Sequence, residues 1–348
     1  MTQRRSLLLA AVVVVLAVVA AVVATSKAHD SAGAVSVLGA GGRVGAADVR
    51  PAPGYGPLPP LSLASAWDNT APLTDASLRG KVVLLDVWDA SCINCRRTFP
   101  FLRKLQATYA KQGLVVVGVH SPEFAFEKSH AYVAQQVKEL DVTWPVAEDP
   151  DLKIWDALGN EYWPESYLAD RQGNIRYEHI GEGDETQIEG AVRTLLAEGG
   201  SAGNAVVGAV PNGQQPPTAN DGVTPETYLG TQRGSTVGST VQVSANVTRT
   251  PQYAAVPTGG SVVLSFTAKD VYVVLDPAGT TPRTVAVTLD GRALPADRRG
   301  PDVAPSGVVT VNRDDLYHVV TGPGISTGTL VLTVTGGPVD VYSFTFGA

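Results

Sequence analysis

The chain has 348 residues, of which 44% are hydrophobic and 17% are charged, and its formal net charge is −7. This length is typical of two domains, each with its own hydrophobic core. A sequence pI near 5.3 leaves no basic surface, which excludes nucleic acid as a partner.

The sequence begins with two basic residues and an apolar run. Arg4 and Arg5 precede 18 apolar residues, 7–24, and a helix of that length would extend about 27 Å at about 1.5 Å per residue. The run is longer than the apolar part of a signal peptide, usually about 7 to 15 residues. We therefore expect an uncleaved signal anchor over 1–28, with cleavage near Ser26–Ala28 as the alternative. In both cases the rest of the chain is exported, either membrane-bound or secreted.

Two further segments have the composition of linkers. Residues 29–60 are rich in Gly, Ala and Pro without any periodicity, which predicts a flexible tether. Residues 200–223 are small and proline-rich, which predicts a linker between domains. The two predicted domains are therefore 61–199 and 224–348.

The first predicted domain alternates buried strands with helices. The apolar patterns predict strands over 81–88, 114–120, 165–170 and 175–181, and helices over 95–113, 124–140, 149–159 and 184–199. Buried strands interrupted by helices predict an α/β domain with a mixed sheet.

The second predicted domain has an all-β pattern. Short β-rich runs occur over 240–247, 261–276, 283–289, 307–311, 328–335 and 339–346. Turn signals such as Asp290-Gly291 separate them. The pattern predicts a β-sandwich. It has no tryptophan and no acid pair or Ser and His grouping, so we expect an accessory packing or binding module.

Both cysteines of the chain, Cys92 and Cys95, form one Cys-x-x-Cys motif after the first strand of the α/β domain. A structural disulfide between them would close a very short loop and add little stability. Zinc would need about four ligands, and the five histidines are scattered. The favoured interpretation is a redox dithiol that uses neither a metal nor another cofactor.

The two thiols are expected to have different roles. At a helix N-terminus, the helix dipole and unpaired N–H groups would favour the Cys92 thiolate, which makes Cys92 the attacking thiol. Cys95, one turn further, would be buried and protonated and would need a base. Asp86 lies inside the apolar strand, where a carboxylate is costly unless it is useful. We predict that Asp86 accepts the Cys95 proton; the alternative is that it only binds nearby backbone.

These residues resemble the thioredoxin superfamily. Asp86 lies six residues before Cys92 and Pro100 eight after it, and Trp88 occupies the family's tryptophan position. The family's cis-proline matches Pro164 in "YWPESYLAD", so the resemblance implies a cis Trp163–Pro164 bond and client contacts at Trp88 and Trp163. The long interval between Cys92 and Pro164 resembles the TlpA and ResA branch.

The resemblance is closer to the exported part of DipZ proteins. It rests on blocks such as "SCINCRRTFPFL", "VVGVHSPEFAFEK", "TPETYLG" and "FTAKDVYVVL" in this order. DipZ proteins also have a multi-pass membrane part, where this sequence has one apolar segment, and they usually have an uncharged residue where this chain has Asp89. Their second domain is described as carbohydrate-binding-like, which implies a cell-envelope carbohydrate as a partner, but the dispersed Tyr and Phe residues argue against a sugar-binding platform.

The sequence thus predicts a membrane-tethered, extracytoplasmic thiol:disulfide oxidoreductase. Its expected partners are exported proteins with disulfides or thiols and a separate membrane electron donor of the CcdA/DsbD kind. One alternative is a peroxidase of the AhpC/TSA kind, although those enzymes have a threonine at the position of Asp89. The other is a surface binding protein whose thioredoxin-like part is only a scaffold.

Overall fold

The computed structural model describes residues 49–52, 54–198, 222–233 and 240–348. The predicted anchor and the greater part of the predicted tether and interdomain linker lie outside these residues. Within the described ranges, no helix is both long enough and apolar enough to cross a membrane.

The first part of the chain is an α/β domain built on one seven-stranded sheet. Its strands are Gly56–Pro57 (β1), Ala66–Asp68 (β2), Val82–Trp88 (β3), Leu114–His120 (β4), Val146–Glu148 (β5), Glu165–Ala169 (β6) and Asn174–Ile180 (β7). Its α-helices are Asp75–Leu78 (α1), Ile93–Tyr109 (α2), His130–Glu139 (α3), Lys153–Leu158 (α4) and Glu185–Glu198 (α5).

The sheet is mixed, as predicted, with the strand order β1-β7-β6-β3-β4-β5-β2. Strand β3 pairs in parallel with β4 and antiparallel with β6, which puts it in the middle of the sheet. All seven residues of β3 are buried, because hydrophobic clusters cover both faces of the sheet. The Cys-x-x-Cys motif follows the end of this central strand, at the start of α2.

The described end of the predicted tether is hydrogen-bonded to the α/β domain. Backbone hydrogen bonds join Arg50 N to Arg176 O and Tyr55 N to Ile175 O, at 2.8 and 2.9 Å, and β1 pairs with β7. The expectation of a tether up to residue 60 is therefore wrong over 54–60. This edge strand could not be predicted from composition, because it is only two residues long.

The predicted helix over 124–140 is divided in the structure. A 3₁₀ turn, Ala125–Lys128, precedes α3, and Ser129 between them has extended dihedral angles. The Glu127 carboxylate accepts hydrogen bonds from the backbone N–H groups of Glu123 and Phe124, both at 2.9 Å. This local bonding competes with a continuous helix and closes the turn.

The second part of the chain is β-rich. Its strands are Thr227–Tyr228 (β8), Val241–Val243 (β9), Thr248–Arg249 (β10), Ala254–Val256 (β11), Ser261–Ala268 (β12), Asp270–Asp276 (β13), Arg283–Leu289 (β14), Arg292–Ala293 (β15), Val308–Val311 (β16), Asp315–Val320 (β17), Ser326–Val334 (β18) and Val339–Gly347 (β19). They form two six-stranded sheets, and side chains from both sheets share one hydrophobic core.

One detail of this β-rich domain differs from the sequence prediction, and another agrees with it. The run 261–276 is two strands rather than one, because the chain leaves one sheet at Ala268 and enters the other at Asp270. The turn at Asp290-Gly291 has positive φ at both residues and joins β14 to β15, as a two-residue hairpin turn requires.

Candidate active site

The two cysteines lie at the start of α2, directly after the central strand. Cys92 is the N-cap residue, so the helix begins at Ile93 and not at Cys95 as predicted. Both cysteines are free thiols; Cys92 is partly exposed, whereas Cys95 is 0% exposed. The Cys95 backbone N–H donates to the Cys92 sulfur at 3.2 Å. Cys92 therefore faces both solvent and an N–H group of the first helical turn.

The buried position of Cys95 has an electrostatic consequence. Burial raises the pKa of the Cys95 thiol well above its ordinary value, and the neighbouring Cys92 and Asp89 raise it further. Cys95 is thus a protonated thiol at neutral pH and needs a proton acceptor before it can act as a nucleophile.

Asp86 lies inside the sheet, opposite Ser166 on β6. It is 1% exposed. Its Oδ1 accepts a hydrogen bond from Ser166 Oγ at 3.2 Å, and Oδ2 has no hydrogen-bond partner among the described residues. Burial raises the pKa of Asp86 from 3.8 to about 7, although the Ser166 hydrogen bond opposes the shift. A carboxyl with this pKa can both accept and release a proton near neutral pH.

Trp88 occupies the core rather than the surface. It is 0% exposed, and its ring makes edge contacts with Phe99 and His120 at centroid distances of 5.2 and 4.8 Å. It cannot touch a client from this position, so the expectation of a client contact at Trp88 is corrected. A hydrophobic end to a buried strand was the sequence signal for this placement.

Trp163 and Pro164 lie where β6 begins. Their peptide bond is cis, as expected. Trp163 is partly buried, donates from Nε1 to the Ser121 carbonyl at 2.9 Å and packs on Trp155 at a centroid distance of 4.2 Å. Trp163 also lines a cleft with Cys92. Pro164 itself is buried.

A pair of buried carboxyls flanks the loop between β3 and α2. The Ser91 backbone N–H donates to Asp89 Oδ1 at 2.8 Å and to Glu127 Oε1 at 3.1 Å, which places the two carboxyls side by side. Both residues are 0% exposed. Burial and then the Glu127 charge raise the pKa of Asp89 well above its ordinary value, and Cys92 adds to the shift. The sequence marked Asp89 as unusual but did not identify Glu127, although an acid in the apolar run "FAFEK" was a signal.

The β-rich domain packs beside the dithiol, which the sequence did not predict. Phe124 of the α/β domain contacts Tyr342 of β19 at a ring distance of 4.9 Å, and Ile93, between the two cysteines, belongs to the same cluster. Arg96 Nη2 and Asp315 Oδ1 form an ion pair at 2.7 Å across the domain boundary. Side chains from both domains therefore surround the active-site end of α2.

A group with metal-ligand chemistry lies elsewhere in the α/β domain. Three side chains each offer one ligand atom, and these atoms lie within 4.8 Å of one another: Asp68, His130 and Glu148. His130 Nδ1 and Glu148 Oε1 are 2.5 Å apart, and this contact raises the pKa of His130. Neither cysteine belongs to this group.

Comparisons with known proteins cover both domains. The Redoxin family model matches residues 56–195, and the model for a thioredoxin-like C-terminal domain matches residues 248–347. Protein DipZ of Mycobacterium tuberculosis is 33% identical over 320 residues, which cover 84% of this chain and 43% of DipZ. The chain thus spans less than half the length of that relative.

Two shorter relatives match the α/β domain. Thiol-disulfide oxidoreductase YkuV of Bacillus subtilis is 30% identical over 142 residues, covering 41% of this chain and 95% of YkuV. Thiol:disulfide interchange protein DsbE of Pseudomonas aeruginosa is 33% identical over 130 residues, covering 37% of this chain and 67% of DsbE.

Proposed function

This chain belongs to the thioredoxin-like family of thiol-disulfide oxidoreductases, and we propose that it exchanges disulfides with exported proteins while tethered to the outer face of a membrane. The observation that carries the proposal is the arrangement of the thiols. Cys92 is partly exposed at a helix N-terminus, and Cys95 is buried directly behind it with its N–H on the Cys92 sulfur. One thiol is placed to attack and the other to resolve.

The proposed reaction reduces one client disulfide for each dithiol oxidised. The Cys92 thiolate attacks a client sulfur, breaks the client S–S bond and forms a mixed disulfide, and the departing client thiolate takes a proton. Cys95 then loses its proton and attacks the Cys92 sulfur. This step forms the Cys92–Cys95 disulfide and releases the second client thiolate, so two electrons pass to the client.

We assign Asp86 as the acceptor of the Cys95 proton. Its pKa of about 7 makes it partly ionised at neutral pH, and burial and the Glu127 charge raise the pKa of Asp89 well above its ordinary value. A raised pKa favours the protonated form, so we assign Asp89 the opposite role, as the proton donor to the client thiolate that departs in the first attack. The two buried carboxyls divide acid and base functions through their environments.

The remaining assignments concern docking and location. Trp163, with its backbone before the cis-proline Pro164, is the proposed docking edge for an extended client segment, in the manner of strand addition. The redox-active cysteine pair needs no other cofactor. We assign residues 1–28 to the membrane anchor, 61–199 to the thioredoxin-like domain, 200–223 to the linker and 224–348 to a β-sandwich domain. A separate membrane protein of the CcdA/DsbD kind is the proposed electron donor, because a single anchor segment cannot carry electrons across a bilayer.

The test uses Cys95→Ala in the full chain, expressed in its native membrane. Without the resolving thiol, the mixed disulfide at Cys92 can be released only by an outside thiol, so it should accumulate. Non-reducing electrophoresis and mass spectrometry should identify exported proteins with disulfides and a membrane electron donor, whereas the control Cys92→Ala should capture nothing. If Cys95→Ala captures no partner while peroxide oxidises Cys92 rapidly, the exchange mechanism is wrong and a peroxidase replaces it.

A further inference from the structure

A cleft beside Cys92 is built by both domains. Its volume is about 210 Å³, and Cys92, Ile93 and Trp163 line it from the α/β domain, with Tyr228, Arg233 and Thr345 from the β-rich domain. We refer to it as the Cys92 cleft. A client sulfur must come close to Cys92 to react, so residues next to the client cysteine will meet side chains of the β-rich domain.

A polar cluster at the domain boundary holds the residues that the β-rich domain contributes to the Cys92 cleft. The Glu123 carboxylate accepts a hydrogen bond from Tyr228 Oη at 2.7 Å and forms an ion pair with Arg233. The Arg233 guanidinium lies 5.2 Å from the Trp163 ring centroid and 5.4 Å from that of Tyr228. These contacts hold the described segment 227–233 against the proposed docking residue Trp163.

The ionisable lining of the Cys92 cleft is predominantly acidic. Glu123, Glu161 and Glu226 supply three carboxyls, and Arg233 supplies one guanidinium. Arg233 is already paired with Glu123, whose side chain is 7% exposed. Glu226 accepts a hydrogen bond from Thr345 Oγ1 at 3.0 Å, and no ion pair of Glu161 or Glu226 is found within the part of the chain that the structure describes.

The pKa values of two of these carboxyls indicate which client charge the Cys92 cleft would favour. Burial and the nearby Glu226 charge raise the pKa of Glu123 to about 8, although Arg233 and the Tyr228 hydrogen bond oppose the shift. The pKa of Glu226 is also raised, because loss of hydration in the cleft outweighs its hydrogen bonds to Thr345 and Tyr228 and the Arg233 charge. A positive charge brought into the Cys92 cleft would stabilise both carboxylates, whereas a negative charge would oppose their ionisation.

We infer that the β-rich domain forms one side of the client-binding site, and that this side selects clients with a Lys or Arg next to the reactive cysteine. The inference rests on the proposed exchange function, because it names a class of client for the same thiol. It also gives the β-rich domain a task at the active site, in place of the accessory packing or binding role that its sequence predicts.

The experiment compares two synthetic peptides that each contain one internal disulfide. They differ only in the residue next to the first cysteine, which is Lys in one and Glu in the other. The reduced full chain should reduce the Lys peptide with a kcat/KM about tenfold higher, as expected when an attraction of up to about 1 kcal/mol for Lys is combined with a repulsion of similar size for Glu. Raising the salt concentration should shrink this preference.

Variants of the β-rich domain locate the source of the preference. Glu226→Gln should lower the Lys-over-Glu preference about threefold, and Glu226→Lys should reverse it. The control Asp297→Asn removes an exposed carboxyl of the same domain and should keep the wild-type preference. Equal unfolding midpoints of the four proteins would establish that the comparison concerns client binding and not folding.

An uncharged disulfide substrate tests the exchange function independently of the inferred preference for Lys or Arg. If hydroxyethyl disulfide is reduced by the wild-type chain but both peptides react at the same rate, or the Glu peptide reacts faster, the inference is overturned and the exchange function stands. If hydroxyethyl disulfide and both peptides fail to react, the exchange function itself is overturned.

Discussion

Replacing Asp86 by Asn should stabilise the protein while slowing its chemistry. The pKa of Asp86 is higher in the folded protein than in the unfolded chain, because burial penalises the carboxylate. As the pH rises from about 4 to about 7, the unfolded carboxyl ionises first, so the folded state loses stability over this window. The loss is complete above about pH 7. An amide at this position cannot ionise and escapes the penalty.

The size of the effect follows from the pKa difference. A change from 3.8 to about 7 corresponds to about 4 kcal/mol of lost stability once both states are ionised, at about 1.36 kcal/mol per pH unit. This value is an upper bound, because the Asn amide still has to be buried. Between pH 5 and pH 8, the stability advantage of Asp86→Asn should grow by about 2 to 3 kcal/mol.

The assay is guanidinium unfolding of the reduced wild-type and variant chains at pH 5 and pH 8, with Asp297→Asn as the exposed control. Single-turnover kinetics of mixed-disulfide resolution should meanwhile show a loss of about a hundredfold in Asp86→Asn, because Cys95 lacks its proton acceptor. Asp89→Asn should resolve nearly as fast as wild type. A pH-independent stability difference would refute the burial argument, and equal loss in the first attack and in resolution would assign Asp86 a structural role instead.

Three further predictions test the thiol roles and the packing around them. Limited alkylation at neutral pH should label Cys92 and spare the buried Cys95, and peptide mapping that finds Cys95 labelled first would exchange their roles. Phe124→Ala should lower the unfolding free energy by about 3 to 5 kcal/mol in denaturant titrations, because Phe124 is 2% exposed at the domain contact; a loss below about 1 kcal/mol would mean that the domains do not pack there in solution. Gly118→Ala should cost about 1 to 3 kcal/mol by the same measurement, because the new Cβ would lie 2.8 Å from Trp88 Nε1, and a neutral result would contradict this packing.

The sequence predicted the parts of the site that local patterns encode. The spacing of the cysteines and the acid in an apolar strand at Asp86 each have a local physical reason, whereas Pro164 was identified only through the family resemblance. The central strands β3 and β4 were predictable for the same reason, because residues buried on both faces give continuous apolar runs.

Features that depend on long-range pairing were not predictable. Strands β2 and β5 have three residues each, too few for a period-two pattern, and they exist because β5 pairs with β4 and β2 then pairs with β5 at the edge of the sheet. The contact between the domains joins Glu123 to Tyr228 across 105 positions, and neither residue carries a signal of this pairing. For this reason, the sequence predicts only an accessory role for the β-rich domain.

The position of β19 in its sheet sets an order of assembly during synthesis. This strand follows every other strand of its sheet along the chain, yet it lies between β11 and β13 and also pairs with β8. The sheet therefore cannot be completed until β19 has been synthesised. The α/β domain precedes it in the chain and can fold earlier. Until then Phe124 has no Tyr342 to cover it, and the Cys92 cleft lacks Thr345. A newly made chain should thus carry a reactive Cys92 before it has a complete binding site, so early exchange would be less selective than exchange by the finished protein.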